Sequence, residues 1–294
     1  MTALPAAPGS GSAPSSAPGS APGSAPGSAP APAPGPAPAP APAPAAAYRS
    51  LHRLHRPALL VWAAFVLLVT GWLLWVHFAE VPAERACHGF HYVTPGGDLP
   101  SCGYSAFTDA TNVVNFVGEA LTYSCVAVAA WAGGALIGRE LESGTAGLAW
   151  TQSVSPARWL AGKLTAAALP VAAGGGLLAA VFGWVWGSDQ SQLVSSWTYD
   201  RVFIPHGPLL PALLLLGLAA GALAGLALRR TLPALGTAAA ATLVVRLYLR
   251  EAWKPLHGPL HGFWALQLAA TAMVLALAAA AIVGAFWLLR RRTR

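Results

Sequence analysis

Long apolar stretches, nearly free of charged residues, occupy most of the chain after residue 57. Each is close to the roughly 20 residues that an α-helix needs to cross about 30 Å of hydrocarbon. There are six, at residues 58–78, 113–137, 160–186, 209–228, 232–249 and 263–289. The fifth is the weakest, because it is short and reaches Arg246 early. Unsatisfied backbone groups are not tolerated in lipid, so we predict six transmembrane helices.

The chain before these stretches has a different composition. Residues 1–47 consist of Ala, Pro, Gly and Ser repeats with no charged or aromatic residue, which predicts a disordered tail without an assigned function. Residues 48–294 form the predicted membrane domain. Tyr48 to Arg56 has arginines at helical spacing and is followed by Pro57, which fits either a short helix on the inner membrane surface or a charged flank. The predicted fold class is an all-α polytopic membrane protein.

Composition and charge agree with this class and add an orientation. The 294 residues are 55% hydrophobic and only 9% charged, against about 25% charged in soluble domains. If the N-terminus is cytoplasmic, the inner loops and ends hold twelve basic residues: Arg49, Arg53, Arg56, Arg139, Arg158, Lys163, Arg229, Arg230, Arg290, Arg291, Arg292 and Arg294. The outer loops then hold five, Arg85, Arg201, Arg246, Arg250 and Lys254. This predicts a plasma-membrane protein with both termini cytoplasmic. The charges lie at helix ends rather than on one face, which argues against nucleic-acid binding.

Some polar residues invite a functional interpretation. Asn115, Glu119 and Thr122 share one face of the second span. They fit a polar lining at the outer mouth of a substrate path, or a glutamate that extends to external water. Cys87 and Cys102 fall in the first external loop, where a disulfide is possible but free thiols are as plausible. His88 and His91 beside Cys87 do not have a standard zinc spacing, so we predict no metal site.

Small residues predict close helix packing. Gly217, Gly221 and Gly225 repeat every fourth position in the fourth span, which lets another helix of this or a second chain approach closely. Gly174 to Gly176 follow Pro170 in the third span and predict a kink or a close crossing.

The segment from Gly138 to Lys163, called the connector below, is the strongly polar passage between two closely spaced spans. Arg139, Glu140 and Glu142 open it, and a Gly-Thr break follows. We predict a short helix from Ala146 to Gln152 capped by Thr145, and a new helix capped by Ser155 with Pro156 at its first position. The connector is thus a structured bridge between two helices.

Catalytic motifs are not found in the sequence. It has no GxxxxGK[ST] phosphate loop, no HExxH, no GxSxG and no CxxC pair. We therefore predict that the chain is not an enzyme and holds no cofactor of its own.

The connector resembles the segment between the second and third helices of ABC-2 type transporter permeases of actinobacteria. That segment reads RE-x-E-x-GT, then L-x-WTQSV, then RWL and a lysine. The matching residues here are Arg139, Glu140, Glu142, Gly144, Thr145, Leu148, Trp150, Thr151, Gln152, Ser153, Val154, Arg158, Trp159, Leu160 and Lys163.

The resemblance implies a permease subunit of an ATP-binding-cassette exporter, which works as a homodimer or as a pseudo-dimer with a second permease. A separate ATPase would bind ATP and dock on the connector, with Glu140, Glu142 and Arg158 as candidate polar contacts. If the resemblance is set aside, Arg139 and Arg158 are interpreted as anchors at the inner membrane surface. Trp150 and Trp159 are then interpreted as interfacial aromatic residues. The apolar spans fit a hydrophobic or amphipathic substrate. The alternative function is a non-transporting accessory, immunity or signalling membrane protein.

Overall fold

The computed structural model of the chain describes residues 44–83, 109–151, 155–190, 193, 196–253 and 262–293. Within these residues every regular element is helical. The elements are α1 (Pro44–Trp75), α2 (Asp109–Trp131), α3 (Arg139–Glu142), α4 (Thr145–Thr151), α5 (Pro156–Asp189), α6 (Asp200–Phe203), α7 (Leu209–Leu228), α8 (Thr231–Trp253) and α9 (Phe263–Arg292). Two π-helical segments, Val76–Glu80 and Ala132–Gly138, extend α1 and α2.

Six of the described helices are long and apolar enough to cross a membrane: α1, α2, α5, α7, α8 and α9. The prediction of an all-α polytopic membrane protein with six transmembrane helices is confirmed. Residues 1–43 of the predicted tail lie outside the described residues, as do Cys87, Cys102 and Gln152.

Two helices are longer than the hydropathy pattern predicts. α1 begins at Pro44 and continues through Pro57, so no separate short helix ends there. A proline removes one backbone hydrogen bond, which neighbouring groups at a membrane helix can replace. α8 runs to Trp253 and contains Arg246, which lies within the predicted span 232–249 but which the charge count assigns to an outer loop. That assignment is wrong, because Arg246 is 1% exposed and finds polar partners inside the bundle.

The fourth span, α7, is the most enclosed of the six. It packs against α2, α5, α8 and α9, and Arg292 near the end of α9 donates hydrogen bonds to the carbonyl oxygens of Leu226 and Ala227. The ends of α7 and α9 therefore lie together, close to the start of α8. We call this end of the bundle the connector side, since Thr231 at the start of α8 also contacts Glu142 of the connector.

The glycine repeat of α7 packs against α2 of the same chain. A Cβ atom on Gly217 would lie 2.4 Å from the carbonyl oxygen of Cys125. One on Gly221 would lie 2.5 Å from the Cβ of Ala132, and one on Gly225 would lie 2.8 Å from the Cβ of Ile137. All three positions exclude a side chain because the two backbones are in direct contact. This stripe is therefore used within the chain rather than left open to a second copy.

The glycine run of the third span also makes a close crossing. A Cβ atom on Gly174 would lie 2.6 Å from the Nε1 of Trp62, and one on Gly175 would lie 2.5 Å from Leu214. Trp62 donates a hydrogen bond of 2.9 Å to the carbonyl oxygen of Pro170. α5 is thereby held between α1 and α7.

Replacement of Gly221 by alanine tests the α2–α7 contact. We expect Gly221→Ala to lower the free energy of unfolding by about 1 to 3 kcal/mol, because the added methyl group forces two tightly packed backbones apart. Gly236→Ala in α8 is the matched control, since a Cβ atom there meets nothing within 4 Å. Thermal unfolding of the purified chain in mild detergent measures both. Equal melting temperatures for the two variants would contradict the packing described.

Candidate functional site

The connector is folded into two short helices with a tight break between them. α3 ends at Glu142 and α4 begins at Thr145. Gly144 between them has φ +74°, a conformation that residues with a side chain rarely adopt. The amide of Gly147 donates to the carbonyl oxygen of Gly144 at 3.0 Å, which closes the first turn of α4. The change of chain direction between α3 and α4 therefore depends on the glycine itself.

The two predicted helix caps have different outcomes. Ser155 caps α5 as predicted, since its hydroxyl accepts from the amide of Arg158 at 3.4 Å and Pro156 opens the helix. Thr145 is not an N-cap. It is the first residue of α4, and its hydroxyl donates to the carbonyl oxygen of Glu140 at 3.3 Å. The left-handed turn at Gly144 lets the Thr145 hydroxyl point back toward α3.

Glu140 binds inside the bundle rather than facing outward. Its carboxylate accepts from the Nζ of Lys163 in α5 at 2.5 Å, and the same Nζ donates to the carbonyl oxygen of Leu136 at 3.3 Å. Lys163 is 3% exposed and Glu140 is 16% exposed. Because a buried ammonium is stable only with a partner, this ion pair ties α3 to α5.

Glu142 ties the connector to a different span. One oxygen of its carboxylate accepts from the amide of Thr231 at 2.8 Å and also from the hydroxyl of Thr231. The carboxylate thus satisfies one backbone donor at the start of α8, where a negative charge is favourable. Gly138 lies close to the same residue, since a Cβ atom on Gly138 would be 3.3 Å from the Cα of Thr231. Sequence reasoning did not find Thr231.

Two tryptophans complete the internal face of the connector. Trp150 of α4 and Trp159 of α5 meet edge to face with ring centroids 5.8 Å apart. Lys163 Nζ lies 5.4 Å from the centroid of the Trp159 ring. These contacts hold α4 against α5.

The other residues predicted for partner contact face outward. Arg139, Gly144, Thr145, Thr151 and Arg158 are exposed on the connector side of the bundle. The predicted site therefore consists of an internal set that holds the connector in place and an outer set that is accessible.

A second polar cluster lies deeper in the bundle, between α2 and α8. The Nη2 of Arg246 is 3.4 Å from Glu119 Oε1 and 3.4 Å from Thr122 Oγ1. The guanidinium carbon lies 4.1 Å from the centroid of the Tyr123 ring. Two residues of the predicted polar face thus converge on Arg246. Asn115 does not join them, and its Oδ1 is buried without a hydrogen-bond partner among the described residues.

Arg246 is the main residue of this cluster that sequence reasoning missed. The sequence contains one indication that Arg246 belongs to this cluster: Glu119, of opposite charge, lies at a similar depth in another span. Arg246 is 15 residues from Thr231, or about 22 Å along α8, and Glu119 is 18 residues from Ile137, or about 27 Å along α2, at 1.5 Å per residue.

An apolar cleft of about 630 Å³ lies between α1, α2 and α5. Its walls come from the connector-side half of α1, from Pro57 to Phe65, and from residues 120–131 of α2. Tyr123 lines this cleft and also contacts Arg246. Among the residues that the structure describes, no group of three metal-ligating side chains is found.

These features define a class of protein: a multi-pass helical membrane protein with a structured connector and an apolar cleft between its spans. A family model described as ABC-2 membrane transporter related matches residues 57–254, which include five of the six spans and the whole connector. The chain belongs to this family and is a membrane transporter permease. No curated protein and no solved structure matches the chain.

The Glu140–Lys163 pair is tested by removing each partner. We expect Glu140→Met to destabilise the chain by about 3 kcal/mol, because it leaves a buried ammonium without its carboxylate. Lys163→Met should cost less, since Glu140 is partly exposed and keeps contact with water. Thermal unfolding in detergent and amide hydrogen exchange across α3 and α4 measure both effects. If the double variant is no more stable than Glu140→Met alone, the pair is not what holds the connector.

Proposed function

We propose that the chain is the permease subunit of an ATP-binding-cassette exporter. A separate ATPase subunit binds ATP and docks on the connector, which lies on the cytoplasmic side together with both termini. The permease moves a hydrophobic or amphipathic substrate outward across the plasma membrane. It works as a homodimer, or as a pseudo-dimer with a second permease. The family membership and the resemblance of the connector support this proposal.

The observation that carries the proposal is the division of the connector into an internal and an outer face. Glu140 is bound to Lys163 of α5 and is part-buried, so it is not the first point of contact for a partner. Glu142 is bound to Thr231 of α8 but is exposed and accessible to a partner. Arg139 and Arg158 are exposed beside them. A partner that binds the outer face thus acts on a segment already fastened to two spans, and α2 continues directly into it. Docking would transmit force to α2, α5 and α8 together.

The charge distribution supports the orientation. Since Arg246 is buried in α8, one of the five basic residues assigned to the outer side no longer counts there. Lys163 is likewise buried in α5, so with both residues left out the connector side holds eleven basic residues against four on the opposite side.

The apolar cleft supports the substrate class. Its volume lies in the range of about 300 to 1,000 Å³ that suits a small-molecule ligand, and apolar side chains dominate its walls. Glu119 and Thr122 lie on α2 next to Ala120 and Tyr123, which line the end of the cleft away from the connector, and they fit the outer part of a substrate path.

Copurification tests the docking. When the tagged chain is expressed with its genomic neighbours, we expect it to retain a nucleotide-binding protein. Arg158→Glu should weaken that retention at least about tenfold, because it reverses a charge at the docking face. Arg250→Glu is the matched control, since Arg250 is 46% exposed at the far end of α8. Failure to retain any ATPase would argue for the accessory or signalling function, and equal loss in both variants would contradict docking at the connector.

The turn at Gly144 provides a test of coupling. Gly144→Pro cannot adopt φ +74°, since proline is restricted to about −65°. We expect this variant to insert into the membrane normally but to lose substrate-stimulated ATPase activity in the reconstituted complex. Gly147→Ala, which changes a glycine with open space around it three residues away, should keep that activity. Normal stimulation in Gly144→Pro would remove the connector from the coupling mechanism.

A further inference from the structure

Arg246 has more hydrogen-bond donors than the surrounding protein satisfies. A guanidinium carries five N–H donors. Both contacts of Arg246 with Glu119 and Thr122 use the same nitrogen, Nη2. The Nε and Nη1 atoms are buried and have no hydrogen-bond partner in the part of the chain that the structure describes. Three N–H donors of the largest fully buried side chain are therefore available.

The contact with Glu119 does not fully compensate this charge. It is a single contact of 3.4 Å, whereas a strong arginine–carboxylate pair makes two parallel bonds of about 2.8 Å. Glu119 is 46% exposed, so solvent or lipid headgroups compete for it, while Arg246 is 1% exposed. A buried charge that is short of acceptors is costly and marks a functional site in a membrane helix.

Tyr123 joins this cation to the apolar cleft. Tyr123 is one of the residues that line the cleft, and the guanidinium of Arg246 packs against its ring. Tyr123 is 38% exposed, so its side chain is not enclosed by packing on every side. The cleft therefore offers a large apolar volume, with a cation behind one of its side chains.

We propose that Arg246 binds the oxyanion head of an amphipathic molecule whose apolar part occupies the cleft between α1, α2 and α5. Each fork of a guanidinium pairs Nη2 with either Nε or Nη1, so an oxyanion bound by one of the unpartnered nitrogens also takes a bond from the Nη2 that now faces Glu119. Rotation of Tyr123 opens the way from the cleft to this fork. Glu119 competes with the ligand for the guanidinium. The identification of the ligand as cargo depends on the proposed function, but its binding requires no ATPase.

Binding to the isolated full-length chain tests this proposal. The chain is placed in nanodiscs of neutral phospholipid and titrated with terminally brominated dodecanoate or with the matching alcohol. Bromine quenches the fluorescence of Trp62 and Trp131 in the cleft, and a Trp62→Phe, Trp131→Phe chain gives the background from other tryptophans. We expect the carboxylate to bind at least about tenfold more tightly than the alcohol, since a charged hydrogen bond distinguishes them.

Three variants test whether the preference for the carboxylate over the alcohol depends on Arg246. Arg246→Gln should bind both probes equally, and Arg250→Gln, one turn further along α8, should keep the wild-type preference. Glu119→Gln should bind dodecanoate more tightly than the wild type, because it removes the competing carboxylate. Equal binding of the two probes by the wild type would overturn the proposal, as would a preference that persists in Arg246→Gln. If Arg246→Gln does not fold, an unchanged or weaker affinity in Glu119→Gln would overturn it.

A further titration separates two sources of the oxyanion. If nanodiscs that contain phosphatidylglycerol suppress dodecanoate binding, the site takes an anionic bilayer lipid. If they do not, it selects a free amphiphile, and both results support an oxyanion site. Because the assay contains no ATPase, a negative result here leaves the copurification result unaffected, and the reverse also holds.

Discussion

Direct backbone contact between α2 and α7 is the constraint on which both candidate sites depend. Side chains are excluded at Gly217, Gly221 and Gly225, so α2 lies against the central helix with its register fixed by three close approaches. α2 bears Glu119, Thr122 and Tyr123 in one half, and its other end continues into α3. A shift of α2 along α7 would therefore displace the connector and the Arg246 cluster together. Van der Waals packing of small residues against the α2 backbone provides this precision without a polar side chain at these three contacts.

The polar groups of the bundle have complementary roles around that contact. On the connector side, Glu140 is paired with the buried Lys163, and Glu142 accepts from Thr231 through one oxygen while remaining exposed, so both carboxylates hold helices together. In the half of the bundle away from the connector, the Nε and Nη1 atoms of Arg246 have no hydrogen-bond partner among the described residues. A residue bound fully within the protein stabilises it, whereas one with free donors in a dry environment is suited to binding something else.

The sequence predicted the number and position of the spans because long apolar runs have few alternatives in a membrane. It also predicted the glycine packing and the Ser155 cap, which depend on local chemistry. The partners of Glu140, Glu142 and Glu119 could not be predicted from the sequence, because they depend on how the helices are rotated and aligned relative to one another. Hydropathy places Arg246 at the weak end of a span and so assigns it to a loop. Only the neighbouring Glu119 and Thr122 explain why it is retained in α8.

Burial of Arg246 also constrains how the protein is made. An arginine at the centre of an isolated membrane helix raises the free energy of insertion by about 2.5 to 3.5 kcal/mol, and Arg246, nearer one end of α8, incurs a smaller cost of the same kind. α8 is the helix with this residue, and its apolar run is short. The compensating groups, Glu119 and Thr122, belong to α2, which is synthesised more than a hundred residues earlier. The second span is thus already in the membrane when α8 leaves the ribosome, and the order of the helices along the chain lets an early helix assist the entry of a late one.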